Sequence, residues 1–434
     1  MTYHNAIKYV MTAPTDLSED SVGANLKRLW NELGNPQKGL TYFRLAGNNG
    51  KSVCAELLMS AFRDSSHQVG CFTTPIQEDI RNNIRINGGG LPFEEFCGYV
   101  DRIYRIQARI NKTYAKEAAA SDPQENNAEA TPSAFVLTQH EIMLSAALLA
   151  FHANNCTLCM MESDHTQADP SRFLPAPFAA AICGTIPSTD RKAVQRIRSY
   201  ICHGIQEVIS APQDQDAYRV ISDTCAAINC RLTLTSKSEI QIHRIALNGS
   251  EFSYRDKPYR LGLCGKFQIS NATVALEILE VLARRGFPLT EQQIQEGFRK
   301  TKIPAKFEFL SIAPTIIVDS THSDIAIETV CDSMAEFREL LGNKVRLCLP
   351  SGSIVERYRT VLQQKGYEIT EYLTFPAELL VEPSLSPYSP KQKTIVEVAK
   401  KALTTLKDNE ILLISGPYCF TSAIRAALVK ALSF

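Results

Sequence analysis

Gly47, Asn48, Asn49, Gly50, Lys51 and Ser52 stand in succession within "RLAGNNGKSVCAELL", an order of residue types suited to holding a phosphate. Two glycines let backbone N–H groups approach phosphate oxygens, the lysine supplies a cation, and the serine offers a hydroxyl to Mg²⁺. The spacing is the short G-x-x-G-K-S form; the longer Walker pattern needs a glycine five residues before Gly50, where Leu45 stands. By itself the hexapeptide also fits an ordinary strand-to-helix turn. Its flanks argue for more: the apolar run "LTYFRLA" precedes it, and Val53, Leu57, Leu58, Ala61 and Phe62 follow at helical spacing.

The elements that must position this loop read as strand, loop, helix, followed by further buried strands. "QVGCFT" ends at Thr73 and Thr74, and "CTLCMM" ends at Glu162; runs this apolar on both faces suit a parallel sheet covered by helices. Polar residues at the carboxyl ends of such strands face a ligand crevice. Helical spacing returns in "HEIMLSAALLAFHA" and in "NATVALEILEVLARRG", whose last glycine suits a helix stop. Residues 114–133, rich in Ala, Glu, Asn and Pro, read as a mobile surface insertion. After Pro304 the grammar restarts with "TIIVDS", "VRLCLPS", "EYLTFP" and "ILLISG". Residues 1–300 are therefore expected to form the ATP-binding domain, and 301–434 a smaller α/β domain that closes over the nucleotide.

Composition narrows the partners. Lys plus Arg and Asp plus Glu both total 46, so no global field recruits nucleic acid or an anionic membrane, and a charged ligand must be held locally. No stretch approaches the roughly 20 apolar residues of a membrane span, and no signal peptide is read, so a cytoplasmic protein is expected. The 13 cysteines are scattered through apolar segments, as buried reduced thiols would be. Cys156 and Cys159 form a C-x-x-C that no second pair completes, so a buried strand is the reading preferred over a metal or redox pair.

The short loop, with Ala46 before it and Asn49 inside it, resembles that of the Mur ligase superfamily, commonly G-T-N-G-K-[ST]. The ordered segments "NELGNPQKGLTYFRLAGNNGKSVCAELLMSAF", "QVGCFTTPIQEDIRNNIRINGGGLPFEEF", "LTQHEIMLSAALLAF", "EVISAPQ", "LCGKFQISNATVALEILE", "IPAKFEFL" and "VDSTHSD" resemble successive landmarks of its folylpolyglutamate synthase and dihydrofolate synthase branch. The resemblance implies an α/β fold, with a P-loop ATPase domain on a mostly parallel sheet followed by a smaller Rossmann-like domain. It implies ATP-dependent amide ligation through an acyl phosphate. The substrates would be a folate-like carboxylate and a glutamate-like amino acid, and nothing calls for a protein partner. Cations are needed because a carboxylate meets an anionic nucleotide. Implied nucleotide-binding residues are Gly47, Asn48, Asn49, Gly50, Lys51, Ser52, Asn271, Lys306 and Asp319. Implied Mg²⁺ ligands are Ser52, Thr74 and Glu162, and implied catalytic residues are Lys51 and His322.

Departures from the family are specific. The glycine usual between lysine and hydroxyl is absent after Lys51, and the family's E-V-G-L-G-G-R-x-D-A-T-N has become "ESDHTQADPSRF", leaving Glu162 and Asp169 recognisable. The histidine of N-I-G-x-D-H is missing from "ICGTIPSTD"; Cys202, beside His203, stands where the family's carbamylated lysine holds a second Mg²⁺. Phe267 replaces the histidine of G-R-H-Q, although Gln268 and Asn271 persist. Lys306 takes the place of an arginine, keeping the charge and losing the planar fork. Ser323 follows His322 where asparagine is usual, and Ile76 and Gln77 alter the segment that lines the pterin or substrate site. The sequence thus leaves two classes open, an active ligase with an altered acceptor and an ATP-binding paralogue acting as a regulatory or partner subunit.

Overall fold

In the computed structural model the described residues are 1–74, 79–120, 134–163, 169–320, 323–350, 352–375, 397, 400–407 and 409–432. They form two compact units. The first comprises Met1–Ala55, Phe62–Leu234 and Val281–Pro288, and the second Glu56–Ala61, Thr235–Glu280 and Leu289–Phe434.

The first unit is built on eight strands: β1 (Tyr42–Ala46), β2 (Val69–Phe72), β3 (Ile84–Ile86), β4 (Gly89–Gly90), β5 (Leu158–Glu162), β6 (Ala179–Ile182), β7 (Glu207–Ser210) and β8 (Arg231–Leu234). They lie in the order β4-β3-β2-β5-β1-β6-β7-β8. From β2 to β8 every pairing is parallel, and only β3 and β4 run antiparallel at one edge. The central strands β1, β2, β5, β6 and β7 are buried along their whole length, which is why they read as unbroken apolar runs rather than alternating ones. One face is covered by the helices Tyr3–Thr12, Glu19–Glu32, Phe93–Ala120 and Gln139–Ala153, whose side chains share one core with Phe72, Cys159 and Met161. Helices Arg191–Tyr200 and Gln215–Ala227 bury Ile197 and Ile221 against Ala180, Ile182 and Val208. Strand order reverses at β1, whose chain proceeds to β2 on one side while β6 lies on the other; such a switch point opens a crevice at the strands' carboxyl ends.

The second unit contains an antiparallel sheet of β9 (Ile240–Ala246), β10 (Gly249–Tyr254) and β11 (Lys257–Leu261). A five-stranded sheet follows, with β12 (Glu308–Ile312), β13 (Thr315–Asp319), β14 (Lys344–Pro350), β15 (Glu368–Phe375) and β16 (Glu410–Ser415) in the order β12-β13-β16-β14-β15. Only β12 pairs antiparallel. Alternation divides its strands between two cores: Ile317, Leu347 and Leu413 on one face, Ile316, Cys348 and Leu412 on the other. The expected α/β class therefore holds, with a large mostly parallel sheet and a separate mixed sheet.

Of the stretch 114–133 expected as an insertion, 114–120 continue the helix Phe93–Ala120 and 121–133 lie outside the described residues. Helix Lys266–Arg284 ends as its glycine suggests: Gly286 has φ +93°, its N–H donates to Ala283 O and the Phe287 N–H to Leu282 O. No described helix is long and apolar enough to cross a membrane.

Candidate functional site

β1 delivers the loop 47–50 to the switch point, and the helix Lys51–Phe62 leaves from it. Gly50, with φ +82°, occupies the N-cap, and no side chain caps the helix. Elsewhere Thr2, Ser18, Thr138, Asp190 and Thr290 accept the first-turn N–H groups. An N-terminus without a side-chain acceptor presents backbone donors and the positive end of its dipole to an anion.

Two glycines let backbones meet behind this loop. Gly47 has φ +110°, and a Cβ there would lie 2.2 Å from the carbonyl oxygen of Cys183, just past β6. Gly184 has φ +69°, and its Cβ would come 2.7 Å from the Asn49 carbonyl oxygen. Asn48 reaches the same segment, donating from Nδ2 to Asp190 Oδ2 at 3.3 Å. Below the loop the Cys54 and Cys183 thiols are hydrogen-bonded; that bond, then burial, pushes the Cys54 thiol far up.

Lys51 is 5% exposed, and its ammonium donates to Gly47 O at 2.8 Å while facing Glu162 Oε1 at 3.8 Å. Glu162 ends β5, the neighbour of β1, and is 3% exposed. Its other oxygen accepts the Thr74 N–H at 3.2 Å. Lys51, Thr74 and Glu162, from three separate segments, thus converge at one end of the sheet. Ser52 is half-buried in the first turn of the helix. One carboxylate and the two hydroxyls of Ser52 and Thr74 would make a hard oxygen set, of the kind that suits Mg²⁺ held jointly with phosphates rather than in an all-protein cage. Among the described residues no group of three or more His, Cys, Asp or Glu side chains gathers to hold a metal.

The departures have local structural counterparts. Asp169 caps the short turn Pro170–Phe173, accepting from Ser171 N and Oγ at 2.9 Å each. Cys202 lies 3.8 Å from the guanidinium of Arg44, and His203 is exposed beside it. Arg44 is buried on β1 and donates to the carbonyls of Ser199, Tyr200 and Ser171 at 3.4, 3.2 and 3.4 Å. Its charge thereby meets the negative end of helix Arg191–Tyr200. Cys156 and Cys159 are buried, and burial raises both thiols, that of Cys156 to about 11. Ile76 and Gln77 lie outside the described residues.

In the second unit Lys306 and Asp319 meet at one loop. Lys306 is half-buried between Ala305 at φ +53° and Phe307 at φ +52°. Left-handed backbone at two non-glycine residues costs on the order of 1 kcal/mol each and persists only where surroundings enforce it. Here the Phe307 N–H donates to Asp319 Oδ2 at 2.7 Å, the Ser320 N–H to Ala305 O at 2.7 Å, and the Ala305 N–H to Glu308 Oε2 at 2.8 Å. Arg425 clamps Glu308 with two bonds of 2.6 and 2.7 Å. Asp319 is therefore a carboxylate that shapes the lysine's loop. Asn271 is buried one turn into helix Lys266–Arg284 and donates to Gln268 Oε1 at 3.2 Å. Phe267 packs edge to face on Phe307, ring centres 6.1 Å apart, so the position of the expected histidine is part of an aromatic cluster. His322 lies outside the described residues, and Ser323 sits at the N-cap of helix Asp324–Ala335.

Sequence reasoning missed Arg44, Cys183, Gly184 and Asp190. A charge inside "YFRLA" and a glycine straight after "AAAIC" were the available signals.

No family model matches the chain. It is 21% identical over 429 residues to the dihydrofolate synthase/folylpolyglutamate synthase of Bacillus subtilis, covering 93% of this chain and 94% of that protein. Folylpolyglutamate synthase of Lacticaseibacillus casei is 21% identical over 350 residues, 77% of each. A probable bifunctional folylpolyglutamate synthase/dihydropteroate synthase of Haloferax volcanii is 24% identical over 360 residues, 78% of this chain; the chain spans 39% of that longer protein. Among solved structures, a folylpolyglutamate synthase–AMPPCP–folate complex aligns with TM-score 0.77 at 18% identity, covering all of both chains. The Thermotoga maritima folylpolyglutamate synthase aligns with TM-score 0.72 at 18% identity, covering 99% and 97%.

Proposed function

We propose that this chain, a divergent relative of the folylpolyglutamate synthase and dihydrofolate synthase proteins, is an ATP-dependent ligase that joins a folate-like carboxylate to a glutamate-like amine. The observation that carries the reading is the meeting of Lys51 and Glu162 beside an uncapped helix N-terminus at the sheet's switch point. A relative that has been solved with AMPPCP and folate supports both ligand classes.

The chemistry follows from what a carboxylate needs. Its oxygen attacks the γ-phosphorus of ATP, ADP leaves, and an acyl phosphate results. The amine then attacks the carbonyl carbon, the nitrogen loses a proton, and phosphate departs. Backbone N–H groups of 47–52 and the Lys51 ammonium bind and orient the phosphates, stabilising charge that shifts toward ADP. Ser52, Thr74 and Glu162 would hold Mg²⁺, which supplies further neutralisation of phosphate charge. On the sequence reading Asn271, Lys306 and Asp319 would add further nucleotide contacts, Lys306 as a cation on a loop that Asp319 fixes. His322 enters as a catalytic residue from the sequence alone. We place the protein in the cytoplasm on the sequence reading.

The test is to incubate purified protein with ATP and Mg²⁺ across a panel of reduced and oxidised folates and amino acids, following ADP and the amide product by mass spectrometry. The expected result is ADP release that requires an acceptor and yields product heavier by one amino-acid residue. ATP binding without turnover on any acceptor would favour the regulatory subunit, and absence of ATP binding would overturn both readings.

A further inference from the structure

Helix Gln215–Ala227 ends in a turn whose chemistry the ligase reading does not use. Asn229 adopts φ +54°, its N–H donates to Ala226 O at 3.2 Å, and the Cys230 N–H donates to Cys225 O at 2.9 Å. This pair of bonds is the Schellman arrangement, in which the side chains two residues past the cap and three residues before the end are brought into contact, usually as an apolar pair. In this chain both positions are cysteine. We propose that Cys225 and Cys230 form a redox-active dithiol that closes reversibly to a disulfide with low-molecular-weight disulfides of the glutathione class.

Geometry and access give the two thiols different parts. Cys230 is half-exposed just before β8, whereas Cys225 is 2% exposed in the core under the helix. Burial, and then the hydrogen bond that the Cys225 thiol shares with Cys230, pushes the Cys225 thiol far up, so Cys225 is a poor first nucleophile. Cys230, as thiolate, attacks one sulfur of the oxidant and expels one thiolate, forming a mixed disulfide. Cys225 then gives its proton to solvent and attacks the Cys230 sulfur, expelling the second thiolate. Two protein thiols lose two electrons and two protons, and the oxidant becomes two thiols. The product ties the last helical turn to the strand at the sheet edge. No other pair of described cysteines shares a helix-capping turn: Cys156 and Cys159 flank the start of β5 and are both buried.

Both cysteines fall on one tryptic peptide, 220–231, which makes the test direct. Native protein is equilibrated with mixtures of oxidised and reduced glutathione, quenched in acid, alkylated and digested. The expected product is peptide 220–231 lacking two hydrogen atoms, without alkyl or glutathione adducts. Its equilibrium constant should exceed that of the same chain in urea at least tenfold, because the folded turn holds the sulfurs together. Cys225→Ser should trap glutathione on Cys230, and Cys230→Ser should leave Cys225 reduced. A wild-type peptide that keeps glutathione on Cys230, or stays fully alkylated, would overturn the proposal. So would ring closure as favourable in urea as in the fold, a comparison that needs no variant.

Discussion

Lys51 has a role that its surroundings make measurable. Its ammonium is held by Gly47 O at 2.8 Å and by Glu162 at 3.8 Å, so it is positioned before any phosphate arrives. Lys51→Ala should weaken ATP binding at least tenfold, which corresponds to about 1.4 kcal/mol for a charge-assisted contact; calorimetry giving equal affinities would refute the assignment. Glu162→Gln keeps an oxygen to accept the Thr74 N–H but removes the charge a metal would need. Its expected signature is loss of the Mg²⁺ dependence of nucleotide affinity, with affinity in EDTA nearly unchanged. Cys202 leads to a third expectation. A thiol against the Arg44 guanidinium offers no amine to carbamylate, so turnover should be the same with and without added bicarbonate. Strong stimulation by bicarbonate would show that another lysine fills that part.

At the scale of elements, two glycines with similar backbone angles should respond differently to a methyl group. Gly286, at φ +93°, ends its helix with no atom within 4 Å of the position a Cβ would take. Gly286→Ala should therefore cost only the strain of a left-handed alanine, about 1 kcal/mol, and leave catalysis intact. Gly47, at φ +110°, would push its Cβ to 2.2 Å from the Cys183 carbonyl oxygen, just past the neighbouring strand β6. Gly47→Ala should lose about 2 kcal/mol or more and also displace the phosphate loop. Urea titration and ATP calorimetry on both variants separate these outcomes; equal losses would mean that the β1–β6 contact does not set the loop. The same contrast explains what the sequence made legible. Buried parallel strands and a glycine stop are local signals, so "LTYFRLA", "ILLISG" and the end of "LARRG" could be read directly. The hairpins β9–β11 carried a signal too, the alternation of "IQIHRIA" and the Asn-Gly dipeptide at 248–249, of which Asn248 lies in the turn and Gly249 opens β10, and it went unread beside the stronger α/β pattern. Contacts between segments far apart, such as Gly184 with Asn49, Asp190 with Asn48, or Phe267 with Phe307, have no local signature. They exist only once the sheets have formed.

Among the described residues, two apolar cores lie in the unit carrying the phosphate loop, and two more lie on the faces of the five-stranded sheet in the other unit. One tryptophan, Trp30, reports on the first unit alone: it is 3% exposed and donates from Nε1 to Ser145 Oγ at 3.1 Å. Ser145 lies one turn after Glu141 on the helix Gln139–Ala153, where Glu141 closes a capping box with Thr138. Burial raises the Glu141 carboxyl from 4.5 to about 7. Between those values the folded chain holds a proton that the unfolded chain has released, so stability must fall as pH rises from about 4.5 to about 7 and level off above. A shift of this size corresponds to at most about 3 kcal/mol, reached only if no other group compensates. Urea unfolding followed by Trp30 fluorescence from pH 5 to 8 should show this decline. Glu141→Gln, which retains an oxygen for the Thr138 N–H and cannot ionise, should flatten it. The same slope in the variant, or stability that climbs through the window in the wild type, would place the controlling proton elsewhere. Because Trp30 sits in the first unit, a pH effect seen by far-UV circular dichroism but not by fluorescence would assign that proton to the second.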